Sequence, residues 1–246
     1  MEYSGKLIIF TSFYKQSTIA PYCDSILTTF LLLERLGIRF DYWPRKGDFH
    51  VERSINGAIA EFAEDPEATD FLNIDADESW GATGILRLLS HPEPIVCAAY
   101  KCTNAWNKYV GVITQDQDGV PVGKLLTENS AILKADKVPA GFLRLKKEPV
   151  LKFMETYPDS WFWENDRKTF PFFWNEVENH VFVGMDYAFS EKMKALGFDL
   201  WIDPQIEVTH WGLTGYQGNL DQHMRKLKTA GSAEDLIDGI RAVQGD

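Results

Sequence analysis

Asp75 and Asp77 close the run FLNIDADESW, residues 71–80, and Glu78 follows at once. The run otherwise reads as a buried strand. Like charges crowded at the end of an apolar element cost free energy unless something positive sits between them. Side chains two apart on a strand point to one face, roughly 7 Å apart at their Cα atoms. Hard oxygen ligands in such a pair suit Mg²⁺ or Mn²⁺, ions that also grip phosphate oxygens. The chemistry implied is a divalent metal carrying a diphosphate. The plainer alternative is two acids beside a turn, capping a helix. An EF-hand is excluded, because its sixth and twelfth positions would be Trp80 and Leu86 rather than Gly and Glu.

Regular elements must hold that pair in place. KLIIFTSF (6–13) reads as a first strand, followed by a helical run from about Thr18 to Leu36 with Pro21 in its first turn and Gly37 past its end. IRFDYW (38–43) is a second strand and VERSINGAIAEF (51–62) a second helix, with Val51, Ile55, Ala58, Ile59 and Phe62 at helical spacing. DFLNIDAD (70–77), a helix over 83–91 and PIVCAAYK (94–101) complete a β-α-β-α-β-α-β alternation. That order predicts a mostly parallel sheet with helices on both faces, whose strand ends border a ligand crevice.

The second half changes character. Residues 109–126 predict a hairpin around Asp118-Gly119, and 140–157 a strand, a turn and a helix. GMDYAFSEKMKALG (184–197) is a helix with Met185, Phe189, Met193 and Leu196 on one side. The run 199–212 is strand-like with a break at Pro204, and 232–243 a final short helix. Residues 158–176 hold three Trp and four Phe without a period. Trp161, Trp163 and Trp174, and Trp211 further on, present flat apolar rings that match the C–H faces of sugars; a hydrophobic plug over the sheet is the equal alternative. The expected organisation is one domain over 1–246: a nucleotide-binding half to about 104, an acceptor-side half to about 215, and a helical tail.

Composition bounds the partners. The net charge of −11 argues against nonspecific nucleic-acid binding. No run reaches the ~18 apolar residues of a membrane span. Three cysteines without paired-ligand spacing and the absence of an Asn-x-Ser/Thr sequon fit free thiols in a cytoplasmic protein.

FLNIDAD followed by an apolar helix resembles the metal-binding Asp-x-Asp of GT-A fold glycosyltransferases, particularly the family 2-like group. KLIIFTSF resembles their first nucleotide-binding strand, VERSINGAIAEF their Arg-containing helix, and PAGFLRLKKEPV their Gly-Phe-x-x-x-basic-basic segment. VGMDYAFSEKMKALGFDLWIDPQIEVTHWG (183–212) is similar to their Gly-Glu-Asp helix, Trp-x-Asp-Pro strand and closing His-x-Gly. The resemblance implies a GT-A-like α/β fold with a smaller mixed or antiparallel acceptor-side part. It implies that Asp77 and Asp75 hold Mn²⁺ or Mg²⁺ against the diphosphate of a UDP- or GDP-sugar, with His210 completing the site. Thr11, Ser12, Phe13 and Tyr14 would lie under the nucleoside. Arg53, Asn56 and Ala76 would face the nucleotide, and Asp41 would read the base. Asp186 would be the base of an inverting transfer to a hydroxyl acceptor, a glycan or another hydroxyl compound, a modified DNA base among them. Met185 departs from the pattern, which has Glu there. Without the resemblance, His210 reads as a satisfied strand-end histidine, Arg53 and Asn56 as a solvated helix face, and Asp186 as a helix-start carboxylate. Three alternatives stand beside the transferase: a haloacid-dehalogenase-like phosphohydrolase, a nucleotidyltransferase, and an inactive nucleotide-sugar-binding module.

Overall fold

The computed structural model describes residues 3–14, 16–102, 108–127, 130–212 and 215–230; the helix expected over 232–243 lies outside them. The first half runs β1 (Lys6–Phe13), α1 (Ala20–Arg35), β2 (Arg39–Lys46), α2 (Val51–Glu64), β3 (Asp70–Ile74), β4 (Glu78–Trp80), α3 (Thr83–Ser90) and β5 (Ile95–Cys97). The second half begins with β6 (Val112–Ile113), β7 (Gly123–Thr127), β8 (Ser130–Lys137), β9 (Phe142–Lys146) and α4 (Lys147–Thr156). Two hairpins follow, β10 (Phe162–Glu164) with β11 (Arg167–Thr169) and β12 (Glu176–Glu178) with β13 (Val181–Val183). The remainder is α5 (Met185–Ala195), β14 (Leu200–Ile202), β15 (Val208–Trp211), β16 (Gly215–Gly218) and α6 (Leu220–Ala230).

Among the described residues, nine strands form one mixed sheet in the order β2-β1-β3-β9-β5-β14-β8-β6, with β7 also on β8. Seven strands share a direction; β8 and β9 run against them. The predicted alternation is present, with one difference of consequence. β9, from the second half, inserts between β3 and β5 of the first half. Arg144 of β9 is fully buried there, bonded to Asp70 Oδ1 at 3.3 Å and to the carbonyls of His91 and Glu93 at 3.1 and 2.6 Å. The expected strand over 94–101 is shorter, ending at Cys97, after which the chain turns toward the site.

Helices cover both faces. α2, α4 and α5 bury Ile55, Ile59, Phe62, Phe153, Phe189 and Met193 against one face. α1 and α3 bury Tyr22, Ile26, Leu33, Ile85 and Leu88 against the other. The stripe expected on α5 is the one observed: Phe189 and Met193 are buried, and Met185 and Leu196 pack beside them. Gly197, at φ +88°, ends that helix in the left-handed region that favours glycine. The Asp118-Gly119 turn joins β6 to β7, with Val122 N–H donating to Thr114 O at 2.9 Å. No helix among the described residues is long and apolar enough to cross a membrane.

Candidate active site

The site forms where β3 stops. Asn73 donates through Nδ2 to Ala140 O at 2.6 Å, and Asp75 N–H donates to Gly141 O at 2.8 Å. These bonds tie the end of β3 to the start of β9. The strand ends at Ile74, so Asp75 and Asp77 lie on a tight turn, not two apart on a strand as the sequence suggested. The turn closes with Glu78 N–H donating to Asp75 O at 3.2 Å. The two acids therefore point differently. Asp75 turns inward toward Gly141, and Asp77 keeps 50% of its side chain exposed.

The far end of the chain arrives through a small second sheet, β16-β15-β4. In its register His210 stands directly across from Glu78, and Trp211 N–H donates to Asp77 O at 2.8 Å. His210 donates its Nδ1–H to Lys101 O at 3.1 Å, leaving Nε2 3.6 Å from Asp77 Oδ2. A backbone acceptor on one imidazole nitrogen fixes the tautomer and leaves the other nitrogen's lone pair for a ligand. The Tyr100 ring packs edge-on against His210, with 5.2 Å between centroids.

Gly141 lies at the centre. A Cβ there would stand 2.5 Å from Tyr100 Oη, 2.6 Å from Glu78 Oε1 and 2.8 Å from Asp75 Oδ2. Only glycine leaves room for the three oxygens. The sequence pointed to Glu78 only as a third acid beside the pair and to Gly141 only as part of the segment PAGFLRLKKEPV, gave neither a role, and gave no signal for Tyr100.

Asp186 completes the group from α5. Asn175 Oδ1 accepts Met185 N–H at 2.9 Å and so caps the helix, and Ala140 N–H donates to Asp186 Oδ2 at 3.2 Å. Four carboxyl groups and one imidazole thus lie near enough to act on one another through their charges. Burial, then the charges of Asp77 and Asp186, push Asp75 up to about 7. Burial and the same acidic neighbours raise Glu78 well above the ordinary carboxylate range. Burial also raises Asp186, against the pull of the Ala140 N–H. Burial disfavours the His210 imidazolium, but the Asp77 carboxylate outweighs it and raises that group. Among the described residues, the groups acting most strongly on Asp75 include no Lys or Arg. Oxygen-rich donors with one imidazole and no fixed counter-charge fit a hard divalent cation. Among the described residues, no three His, Cys, Asp or Glu side chains are already drawn together as a metal cluster.

The remaining expected residues are dispersed. Thr11 is buried, its hydroxyl 2.7 Å from Tyr22 Oη, and Phe13 packs edge-on against Tyr22; neither lies open to a nucleoside. Ser12 Oγ is buried with no hydrogen-bond partner among the described residues, and Tyr14 is exposed. Asn56 is buried, and its amide makes both bonds to the Phe173 backbone, at 2.7 and 2.8 Å. Asp41 is not at the crevice: Lys6, at the opposite end of β1, holds it at 2.7 Å. Arg53 is exposed and grips Asp48 through Nε at 3.0 Å and Nη2 at 2.9 Å. It adjoins a cleft of about 390 Å³ lined by Arg45, Lys46, Asp48, Ser54 and Arg167. Ala76 lies in the turn between Asp75 and Asp77, where its carbonyl accepts the Thr18 hydroxyl.

Trp211 borders the site, with Nε1–H donating to Ser79 Oγ at 2.8 Å. Trp161, Trp163 and Trp174 stand elsewhere, exposed on the aromatic segment. Trp161 and Trp174 line a cleft of about 550 Å³ together with Tyr157, Asp159, Glu176 and Lys192. Lys192 is six residues along α5 from Asp186, about 9 Å by helical rise.

No family model matches the chain, and no curated protein does. Solved structures resemble it at low identity. A197 from STIV is 14% identical, with a TM-score of 0.49 over 84% of this chain and 86% of that one. The catalytic domain of Drosophila β1,4-galactosyltransferase 7, in a complex with xylobiose, is 12% identical, with a TM-score of 0.47 over 86% and 68%. The inositol-1-phosphate CTP transferase of T. maritima is 12% identical, with a TM-score of 0.38 over 82% and 90%. Likenesses this low carry nothing about activity.

Proposed function

We propose that this chain is a metal-dependent glycosyltransferase that moves a sugar from a nucleotide-sugar, UDP- or GDP-linked, to a hydroxyl acceptor. One observation supports the reading: at the end of β3, Asp75 and Glu78 feel the charges of Asp77 and Asp186, with His210 beside Asp77, and among the described residues no Lys or Arg is among the groups acting most strongly on those two acids. Asp77, Asp75 and His210 are the residues that would hold Mn²⁺ or Mg²⁺. When bound, the cation stabilises the charge that grows on a departing diphosphate.

The chain's own part in the reaction falls to Asp186. Its carboxylate would accept the proton of the acceptor hydroxyl as that oxygen attacks the anomeric carbon on the face opposite the diphosphate. The result is inversion. A base works best with a pKa near the operating pH, and burial moves Asp186 in that direction. The Ala140 N–H holds one oxygen of Asp186 and fixes the group's orientation. Trp211 beside His210, and the rings of the 158–176 segment, would hold the acceptor.

Met185 favours a second reading, a nucleotide-sugar-binding module without turnover. It packs against the apolar core where the resembled family has an acid. Incubation with UDP- and GDP-sugars and Mn²⁺ separates the readings. Slow metal-dependent release of UDP or GDP, abolished in Asp77→Ala, is expected. Binding without release would favour the inactive module, and release of phosphate from a simple phosphoester a phosphohydrolase.

A further inference from the structure

Glu78 has no evident task in the fold. It opens β4, is fully buried, and neither carboxyl oxygen has a hydrogen-bond partner among the described residues. The strand alternates as a half-buried strand should, with Ser79 turned outward and Trp80 packed in the core. A leucine or methionine at position 78 would satisfy that pattern. Burying a carboxyl group with both oxygens unbonded is a cost that folding alone does not repay.

The side chain is aimed at the site. Glu78 stands across the β4–β15 ladder from His210, where paired side chains share a face. Its Oε1 and Asp75 Oδ2 border the same small space beside Gly141. We propose that Glu78 supplies a further carboxylate to the divalent cation assigned to Asp75, Asp77 and His210, an inference that rests on the metal-dependent reading above. The metal site then draws on the whole run Asp75-Ala76-Asp77-Glu78. The buried acid waits behind the exposed Asp77, and a cation supplies the counter-charge that the fold does not.

The test measures Mn²⁺ binding directly, by the electron paramagnetic resonance signal of free Mn²⁺, in the wild type, Glu78→Gln and Glu78→Met. Urea denaturation in EDTA accompanies it. Without metal, Glu78→Met is expected to be at least as stable as the wild type, since a buried carboxyl group without hydrogen-bond partners is gone, and Glu78→Gln about as stable. Both should bind Mn²⁺ at least tenfold more weakly, and Glu78→Asp should recover part of the loss. Wild-type affinity in Glu78→Gln and Glu78→Met would overturn the role of Glu78 and leave the transferase reading intact. A wild type that binds no Mn²⁺ would overturn both. Failure of both variants to fold would assign Glu78 to the fold and overturn the inference alone.

Discussion

Gly141 has no side chain, and three oxygen atoms occupy the space one would need. Gly141→Ala should therefore spare the core yet disturb Tyr100, Glu78 and Asp75 together. Overpacking of this kind costs about 1–3 kcal/mol, and Mn²⁺ affinity should fall at least tenfold by calorimetry; unchanged affinity would mean that the cluster yields without consequence. Asp186→Asn keeps the shape of the side chain and removes the base. Donor binding should persist while transfer falls on the order of 10²–10⁴-fold, and full activity would remove Asp186 from the mechanism. The acids also fix a pH dependence. Unfolded, Asp75 releases its proton near ~3.9; folded, it keeps it to about 7. Between those values the native state binds more protons, so the metal-free protein loses stability as pH rises through the window. Urea midpoints in EDTA should be higher at pH 5 than at pH 8, and the difference should shrink in Asp75→Asn. An undiminished difference would place the titrating group elsewhere.

The elements hold this arrangement through a few long-range bonds. Asn56 joins α2 to the aromatic segment by two hydrogen bonds to Phe173. Asn56→Ala would leave a buried N–H and a buried C=O unpaired, at about 2–6 kcal/mol in total, read as a lowered urea midpoint with metal binding retained. Sequence periodicity could not distinguish that role from a ligand contact. A polar residue on a helix face looks the same whether it meets a nucleotide or a distant backbone. The alternating strands and helices of the first half were legible because each buries its own apolar pattern. β9 was legible as a strand but not as an insertion, since pairing between β3 and β5 is set by partners far along the chain. Its LRLK pattern suggests an exposed edge, whereas Arg144 is buried at the sheet's centre and bonded there. Asp75 and Asp77 were legible as a pair. The turn that sends one inward and the other outward was not, because both continue a strand-like run.

At the scale of the molecule, the acidic cluster and the aromatic cleft are separate features of one sheet protein. The cleft beside Trp161 and Trp174 is within the size range of small-molecule sites, roughly 300–1,000 Å³, at about 550 Å³. If it holds a glycan acceptor, the double variant Trp161→Ala, Trp174→Ala should raise the acceptor KM several-fold and leave donor hydrolysis unchanged. Equal acceptor KM values would return the rings to the role of a cover over the sheet. The net charge of −11 makes a bridging cation all the more necessary for an anionic donor. That cation is the point on which everything turns, and thermal denaturation tests it most directly, because a ligand bound to the native state raises its melting temperature. Mn²⁺ with a UDP- or GDP-sugar should raise the melting temperature of the wild type well beyond either component alone, and Asp77→Ala should abolish that joint increment. An equal shift in Asp77→Ala, or no dependence on Mn²⁺ in the wild type, would contradict the account.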